Sequence, residues 1–226
     1  MTRTSIASTL RPIALALAIA SGAAVLQACA PILLGGAAMG VGGMAVTDRR
    51  SVGIQVEDQN IELKAGSRIS EKFGDAVHVN VNAYNRKLLL SGEVPNENAK
   101  AEIERLVGSI ENLRSVVNDL AVAPASSLTT RANDSVLTGK VKATLIDAKD
   151  LFSNAFRVNT DRGNVYLMGI VTEREGKRAS QLVSTIPGIL KVVAVFDYIS
   201  EGELQGLSKA EAERQQARAN AAPVPQ

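Results

Sequence analysis

Residues 158–171 read VNTDRGNVYLMGIV, and residues 81–94 read VNAYNRKLLLSGEV. Laid on one another, Val158 falls on Val81, Asn159 on Asn82, Leu167 on Leu90, Gly169 on Gly92 and Val171 on Val94, at a constant offset of 77. The match runs on in both directions. Val183 and Ile186 fall on Val107 and Ile110, Val192-Val193 on Val116-Val117, Asp134 on Asp58 and Lys140 on Lys64, now at an offset of 76. Recurrence at a fixed period marks a repeated structural unit, and two units explain the chain from 55 to 200. A unit this small buries little surface by itself.

Both units have the same pattern. In the second, Asp134 is a good helix N-cap, and Leu137, Val141, Thr144, Leu145 and Ala148 follow at helical spacing. In the first, Ile61, Ala65, Ile69 and Phe73 repeat that face less cleanly. A strand pair comes next. Val77, Val79 and Val81 alternate, Asn85-Arg86 makes a turn, and 87–94 returns; the counterpart is 156–159, a turn at Asp161-Arg162-Gly163, and 164–171. Turn residues between alternating runs predict hairpins. A second helix is expected over 96–109 and 173–184, and a closing strand over 115–122 and 191–199. The order αββαβ, with two helices on one face of a small mixed three-stranded sheet, is an α+β fold. The expected domains are 51–123 and 134–200. The linker 124–133 is short enough that the units should pack together. The tail 201–226 lacks an apolar stripe and reads as disordered.

The first 28 residues read as a signal peptide. Arg3 and Arg11 flank no acid, and an apolar run from Pro12 to Val25 follows. It is short for a permanent span. Leu26-Gln27-Ala28-Cys29 then resembles the lipobox of bacterial lipoproteins, with Cys29 as the lipidation site. Several acyl chains hold a protein firmly, at ~0.8 kcal/mol per buried CH₂. The neck APILLGGAAMGVGGMAV (30–46) contains Gly36 and Gly40 as a GxxxG pair. It reads as a flexible spacer, with a membrane-associated turn of helix as the alternative. Residues 29–50 are thus a lipidated N-terminus and linker, and Asp48-Arg49-Arg50 marks the return to water.

Composition narrows the chemistry. Hydrophobic residues make 46% of the chain and aromatics 3%, so the core must be aliphatic. One Cys and one His, His78, exclude a disulfide framework and Cys-clustered zinc, and argue against a serine triad. The formal charge is +2, but Arg3 and Arg11 leave with the signal, and 23 basic residues then face 23 acidic ones. Such balance argues against nucleic acid as a partner. No phosphate-binding Gly loop follows a strand, and Ser126-Ser127 belongs to a linker rather than a nucleophile elbow. His78, at a strand edge, reads as a packing residue. No catalytic residue, metal site or cofactor is expected.

Binding is the remaining class. Residues 51–123 carry 8 basic and 11 acidic side chains, residues 134–199 carry 9 and 7. The second unit therefore suits an anionic surface better. With Leu137, Val141 and Leu145 in the core, Gly139, Lys142, Ala143 and Ile146 lie on the far side of its first helix, with Val136, Lys140 and Lys149 at the margins. An exposed Ile among lysines is the composition of an interfacial helix.

The αββαβ order, the strands ending Leu-Ser-Gly92 and Leu-Met-Gly169, and the Val-Val closing strand resemble the BON domain; Gly163 to Glu175 (GNVYLMGIVTERE) is an especially close match. A lipobox followed by two such units resembles the dual BON-domain outer-membrane lipoproteins of the DolP family, over roughly residues 26–200. The resemblance implies a lipid-anchored protein on the periplasmic face of the outer membrane; Ala30, rather than Asp, after Cys29 fits that export. It also implies a role in envelope integrity, enrichment at the division site, and binding of anionic phospholipid by the first helix of the second domain. Carried over, the contacts are Val136, Gly139, Lys140, Lys142, Ala143, Ile146 and Lys149. Related sequences present an aromatic where this chain has Val136; Ile146 and Leu151-Phe152 would have to compensate. The alternative function is an adaptor, with the first unit or an open sheet face holding outer-membrane assembly proteins or cell-wall amidase regulators.

Overall fold

Each unit begins with a serine that starts a helix. The computed structural model describes residues 48–221; the signal segment, Cys29 and the Gly-rich neck lie outside the described residues. Ser51 caps α1 (Val52–Phe73), its side chain accepting from the Ile54 amide, and Ile61, Ala65 and Ile69 bury one face of the helix. Gly74, at φ 50°, stops it. The chain continues through β1 (His78–Tyr84), β2 (Lys87–Val94), α2 (Glu97–Gly108), β3 (Ser115–Asn118) and β4 (Ala121–Val122). The second unit repeats this order with α3 (Leu128–Asp147), β5 (Phe156–Asp161), β6 (Asn164–Val171), α4 (Glu173–Ser184) and β7 (Lys191–Tyr198). Thr172 and Glu175 form a capping box on α4. In each sheet the second strand is central, antiparallel to the first and parallel to the last. This is the expected α+β architecture of two αββαβ units.

Four local expectations are corrected. The first helix of the second unit begins at Leu128, capped by Ser127, so residues 128–133 are helical and not linker. Asp134 is therefore no N-cap; it lies buried in mid-helix. The expected strand over 115–122 is broken, because Leu120 turns inward to fill the core between β3 and β4. The tail expected to be disordered forms α5 (Glu201–Ala221). A second capping box starts it: the Ser200 hydroxyl accepts from the Glu203 amide at 3.1 Å, and Glu203 accepts from the Ser200 amide at 2.7 Å.

Strand alternation divides the apolar residues between two jobs. Leu88 and Leu90 point to the helices and pack with Ile61, Ile103 and Val107. Val165 and Leu167 do the same against Val141, Leu145 and Val183. The intervening residues point the other way. Leu89 and Tyr84 from the first unit meet Tyr166, Met168 and Val195 from the second in a separate buried cluster. The sheet faces that the helices leave bare thus cover each other. Polar bonds rim the cluster: Tyr166 Oη donates to Asp119 at 2.9 Å, Asn159 to the Ser91 hydroxyl at 3.1 Å, and Lys87 Nζ to the Phe196 carbonyl at 3.0 Å. An open sheet face, one of the expected adaptor surfaces, is accordingly occupied within the molecule.

Arg49 and Arg50 do not mark a return to water. Both Arg49 Nη atoms reach the Glu175 carboxylate at 2.8 Å, and Nη1 also donates to the Ile170 carbonyl at 2.7 Å. Arg50 pairs with Asp58 at 2.7 Å and Asp48 at 2.6 Å, with its guanidinium 4.0 Å from the centre of the Tyr84 ring. The linker's end is therefore fastened to both units, one arginine to each. Burial and the nearby Asp48 charge push the Tyr84 phenol up to about 12.

Candidate functional site: the outer face of α3

Side chains of α3 divide sharply. Asp134, Leu137, Val141 and Leu145 are buried, at the i, i+3, i+4 spacing that lines one side of a helix. All seven residues expected to touch lipid, Val136, Gly139, Lys140, Lys142, Ala143, Ile146 and Lys149, are exposed. Val136 is 58% exposed and Ile146 66%. Gly139 and Ala143 lie between them at helical spacing, so Val136, Gly139, Ala143 and Ile146 form one apolar stripe. A Cβ on Gly139 would meet nothing within 4 Å, so the middle of the stripe is open.

Lysines border the stripe. Lys140 and Lys142 stand on either side of it, and Lys149 lies just beyond the helix end, past the C-cap Ala148. None of the three is in an ion pair among the described residues. Asp150, the carboxylate next to Lys149, is engaged by Arg178 at 3.0 Å. The cationic charge is left to solvent, while the apolar stripe faces outward without cover.

Leu151 and Phe152, expected to act together, part company. Leu151 is buried in the core of the second unit, whereas Phe152 is 56% exposed. Arg49 stands 5.9 Å from the centre of the Phe152 ring. The end of the linker and the end of α3 thus meet at Phe152, a closeness that sequence separation hides. Cys29 lies outside the described residues. His78 bonds Glu93 through Nδ1 at 2.9 Å, as a packed strand-edge residue does. Among the described residues no helix is long and apolar enough to cross a membrane, and no group of three or more His, Cys, Asp or Glu is placed to hold a metal ion.

Known proteins match this chain as follows. The BON domain family matches residues 57–124 and again 133–200. The outer membrane lipoprotein DolP of Haemophilus influenzae is 34% identical over 186 residues, which is 81% of this chain and 95% of that protein. A 21 kDa hemolysin of Actinobacillus pleuropneumoniae is 26% identical over 154 residues, 67% of this chain and 79% of that one. Among solved structures, CdsD, a structural protein of the type III secretion system of Chlamydia trachomatis, aligns over 68% of this chain and 97% of its own at 16% identity, with a TM-score of 0.27.

Proposed function

This chain belongs to the dual BON-domain DolP family of outer-membrane lipoproteins, and we propose that α3 is its reader of anionic phospholipid. In this reading Cys29 carries the acyl chains, the two domains face the periplasm from the outer membrane, and α3 lies in the headgroup layer. One observation carries it: Val136 and Ile146 are exposed on one helix face, bordered by Lys140, Lys142 and Lys149, which form no ion pair among the described residues. The apolar tips enter the acyl boundary, and each lysine near an anionic surface adds about 1 kcal/mol. Support for envelope integrity as the outcome is the family itself.

The test is NMR mapping of the chain from Asp48 onward against anionic and zwitterionic phospholipid micelles. Shifts confined to 136–152, seen with anionic lipid only and abolished by Ile146→Asp, are the expected result. Equal shifts with both lipids, or none with either, sink the reading.

A second reading keeps the protein as an adaptor for envelope-assembly or cell-wall-remodelling proteins. Val56 and Leu63, exposed on α1, favour it in the first unit. Partner capture that survives Ile146→Asp and is lost on Leu63→Asp would mark that surface.

A further inference from the structure

The two units differ at one station. Ser51 caps α1 and Ser127 caps α3, so Arg50, the residue before the first cap, corresponds to Ser126. Asp58 corresponds to Asp134. Tyr84, the last residue of β1, corresponds to Asp161, the last of β5. In the first unit the Arg50 guanidinium sits against Tyr84 and pairs with Asp58. In the second unit a serine hydroxyl and two carboxylates frame the same station, and the position before the cap carries Ser126 in place of an arginine. A cavity of about 340 Å³ is there, lined by Ser126, Asp134 and Asp161, with His78 and Asn80 contributed by the first unit. That volume is at the lower end of ligand pockets.

The charges around it are unbalanced. Asp134 spends its oxygens on two backbone amides, at 2.9 Å each, as Asp58 does, but among the described residues it pairs with no guanidinium. Burial, with the nearby Glu93 and Asp134 charges adding, holds the Asp161 carboxyl above its usual range, against the pull of Asn80. Glu93, 1% exposed and bonded to His78, leaves Oε1 without a hydrogen-bond partner, 3.8 Å from Arg162 Nε. Arg131 also lines the cavity, its Nε turned to the Ser126 hydroxyl at 3.2 Å. The cavity wall itself carries two carboxylates, Asp134 and Asp161, against one guanidinium, Arg131.

We propose that this cavity binds an organic cation, a guanidinium or primary alkylammonium group, in the place that the Arg50 side chain holds in the first unit. The site is separate from the outer face of α3 and does not depend on its reading. A free small cation and an arginine side chain of a protein share this chemistry.

The full-length lipoprotein, ¹⁵N-labelled in detergent micelles, is titrated with agmatine at constant ionic strength, with neutral butylurea as control. Saturable shifts are expected at Ser126, Asp161 and the side-chain amides of Asn80 and Asn159, with agmatine only. Ser126→Arg supplies the guanidinium from within the chain; it should weaken agmatine about tenfold or more and raise the unfolding midpoint. Asp161→Asn, which keeps the shape, should weaken it similarly and stands in should Ser126→Arg fail to fold. A blocked Gly-Arg-Gly peptide separates the sources: matching shifts assign the site to a protein's arginine, and shifts with agmatine alone assign it to a small cation. No saturable shift with agmatine, equal shifts with butylurea, or unchanged affinity in both variants would overturn the proposal.

Discussion

Asp58 and Asp134 perform the same task at the same place in the two units. Each is buried in mid-helix, and each spends both carboxylate oxygens on two successive amides of the adjacent hairpin turn. Asp58 accepts from Asn85 and Arg86 at 2.8 and 2.6 Å, Asp134 from Arg162 and Gly163 at 2.9 Å. The turns need that help. Asn85, Arg86 and Arg162 all adopt positive φ, which side chains disfavour. Asp134→Ala should therefore cost roughly 2–4 kcal/mol, through two lost charge-assisted bonds and a strained turn. Asp58→Ala should cost more, since it also strips a partner from the buried Arg50. Urea unfolding midpoints rank the two; equal losses would mean that the Arg50 pair contributes nothing.

The clip between Arg49 and Glu175 makes a pH prediction. Their side chains are only 7% and 1% exposed. Burial by itself would raise the Glu175 carboxyl, but the paired Arg49 and the Thr172 amide outweigh it and hold the group below its ordinary 4.5. A carboxylate lowered in the folded state contributes its full stability above the unfolded value and loses it as pH falls through the folded one. Arg49→Gln removes the main lowering partner and leaves a buried carboxylate short of charge, at a cost of about 3 kcal/mol at neutral pH. Acid unfolding, followed by circular dichroism, should begin at a higher pH than in the parent. An unchanged acid transition would show that the clip is not formed in solution.

The duplicated glycines should behave unlike the glycine on α3. Gly92 has φ 120°, and a Cβ there would lie 2.1 Å from the His78 carbonyl oxygen; one on Gly169 would lie 2.5 Å from that of Ala155. Gly92→Ala and Gly169→Ala must push the facing backbone away, so both should lower stability, the first by several kcal/mol, roughly. Gly139→Ala meets open space and replaces a poor helix former, so it should stabilise by about 1 kcal/mol. Thermal unfolding of the three variants decides, and a destabilising Gly139→Ala would contradict the packing of α3.

Those glycines also show what was legible in the sequence. The offset that pairs Gly92 with Gly169 exposed the duplication, and alternation and helical spacing then gave the element order, because local burial produces those patterns directly. Capping was harder. Asp134 before an apolar face looks like an N-cap, yet Ser127 is as good a cap, and only the hairpin turn reveals why a carboxylate sits in mid-helix. The Ser200 to Glu203 capping box was readable at the start of a tail judged only by its missing apolar stripe. Lys140, Lys142 and Ile146 lie on the exposed face inferred for them because helix geometry fixes faces. Nothing local connects Arg49 to Glu175, Arg50 to Tyr84, or Leu89 to Met168. Those contacts follow from how the two sheets meet.

The sheet-to-sheet cluster predicts that the units are coupled. Leu89 and Met168 are essentially fully buried in it, yet neither belongs to the core of its own unit. A carboxylate placed there by Met168→Asp would be buried without a partner, so separation of the units is the cheaper outcome. Small-angle scattering should show a larger radius, and each unit should keep its secondary structure. A radius equal to the parent's with lost secondary structure would mean that the units do not stand apart.

Val136 offers a gain-of-function test of the lipid reading. It is 58% exposed on the stripe, so a larger side chain fits without disturbing the core. A ring there suits the bilayer interface better than an isopropyl group. Val136→Trp should therefore bind anionic vesicles more tightly by about 1 kcal/mol, or roughly fivefold. The chain has no other tryptophan, so the same substitution supplies the probe. Its emission should shift to the blue with anionic vesicles and stay unchanged with zwitterionic ones. Lys140→Gln and Lys142→Gln in that background should each weaken binding by about 1 kcal/mol and flatten its salt dependence. Ile146→Asp should reverse the shift, because Ile146 and the new ring must enter the same layer. A blue shift that survives both lysine changes would mean that the stripe enters lipid without reading its charge.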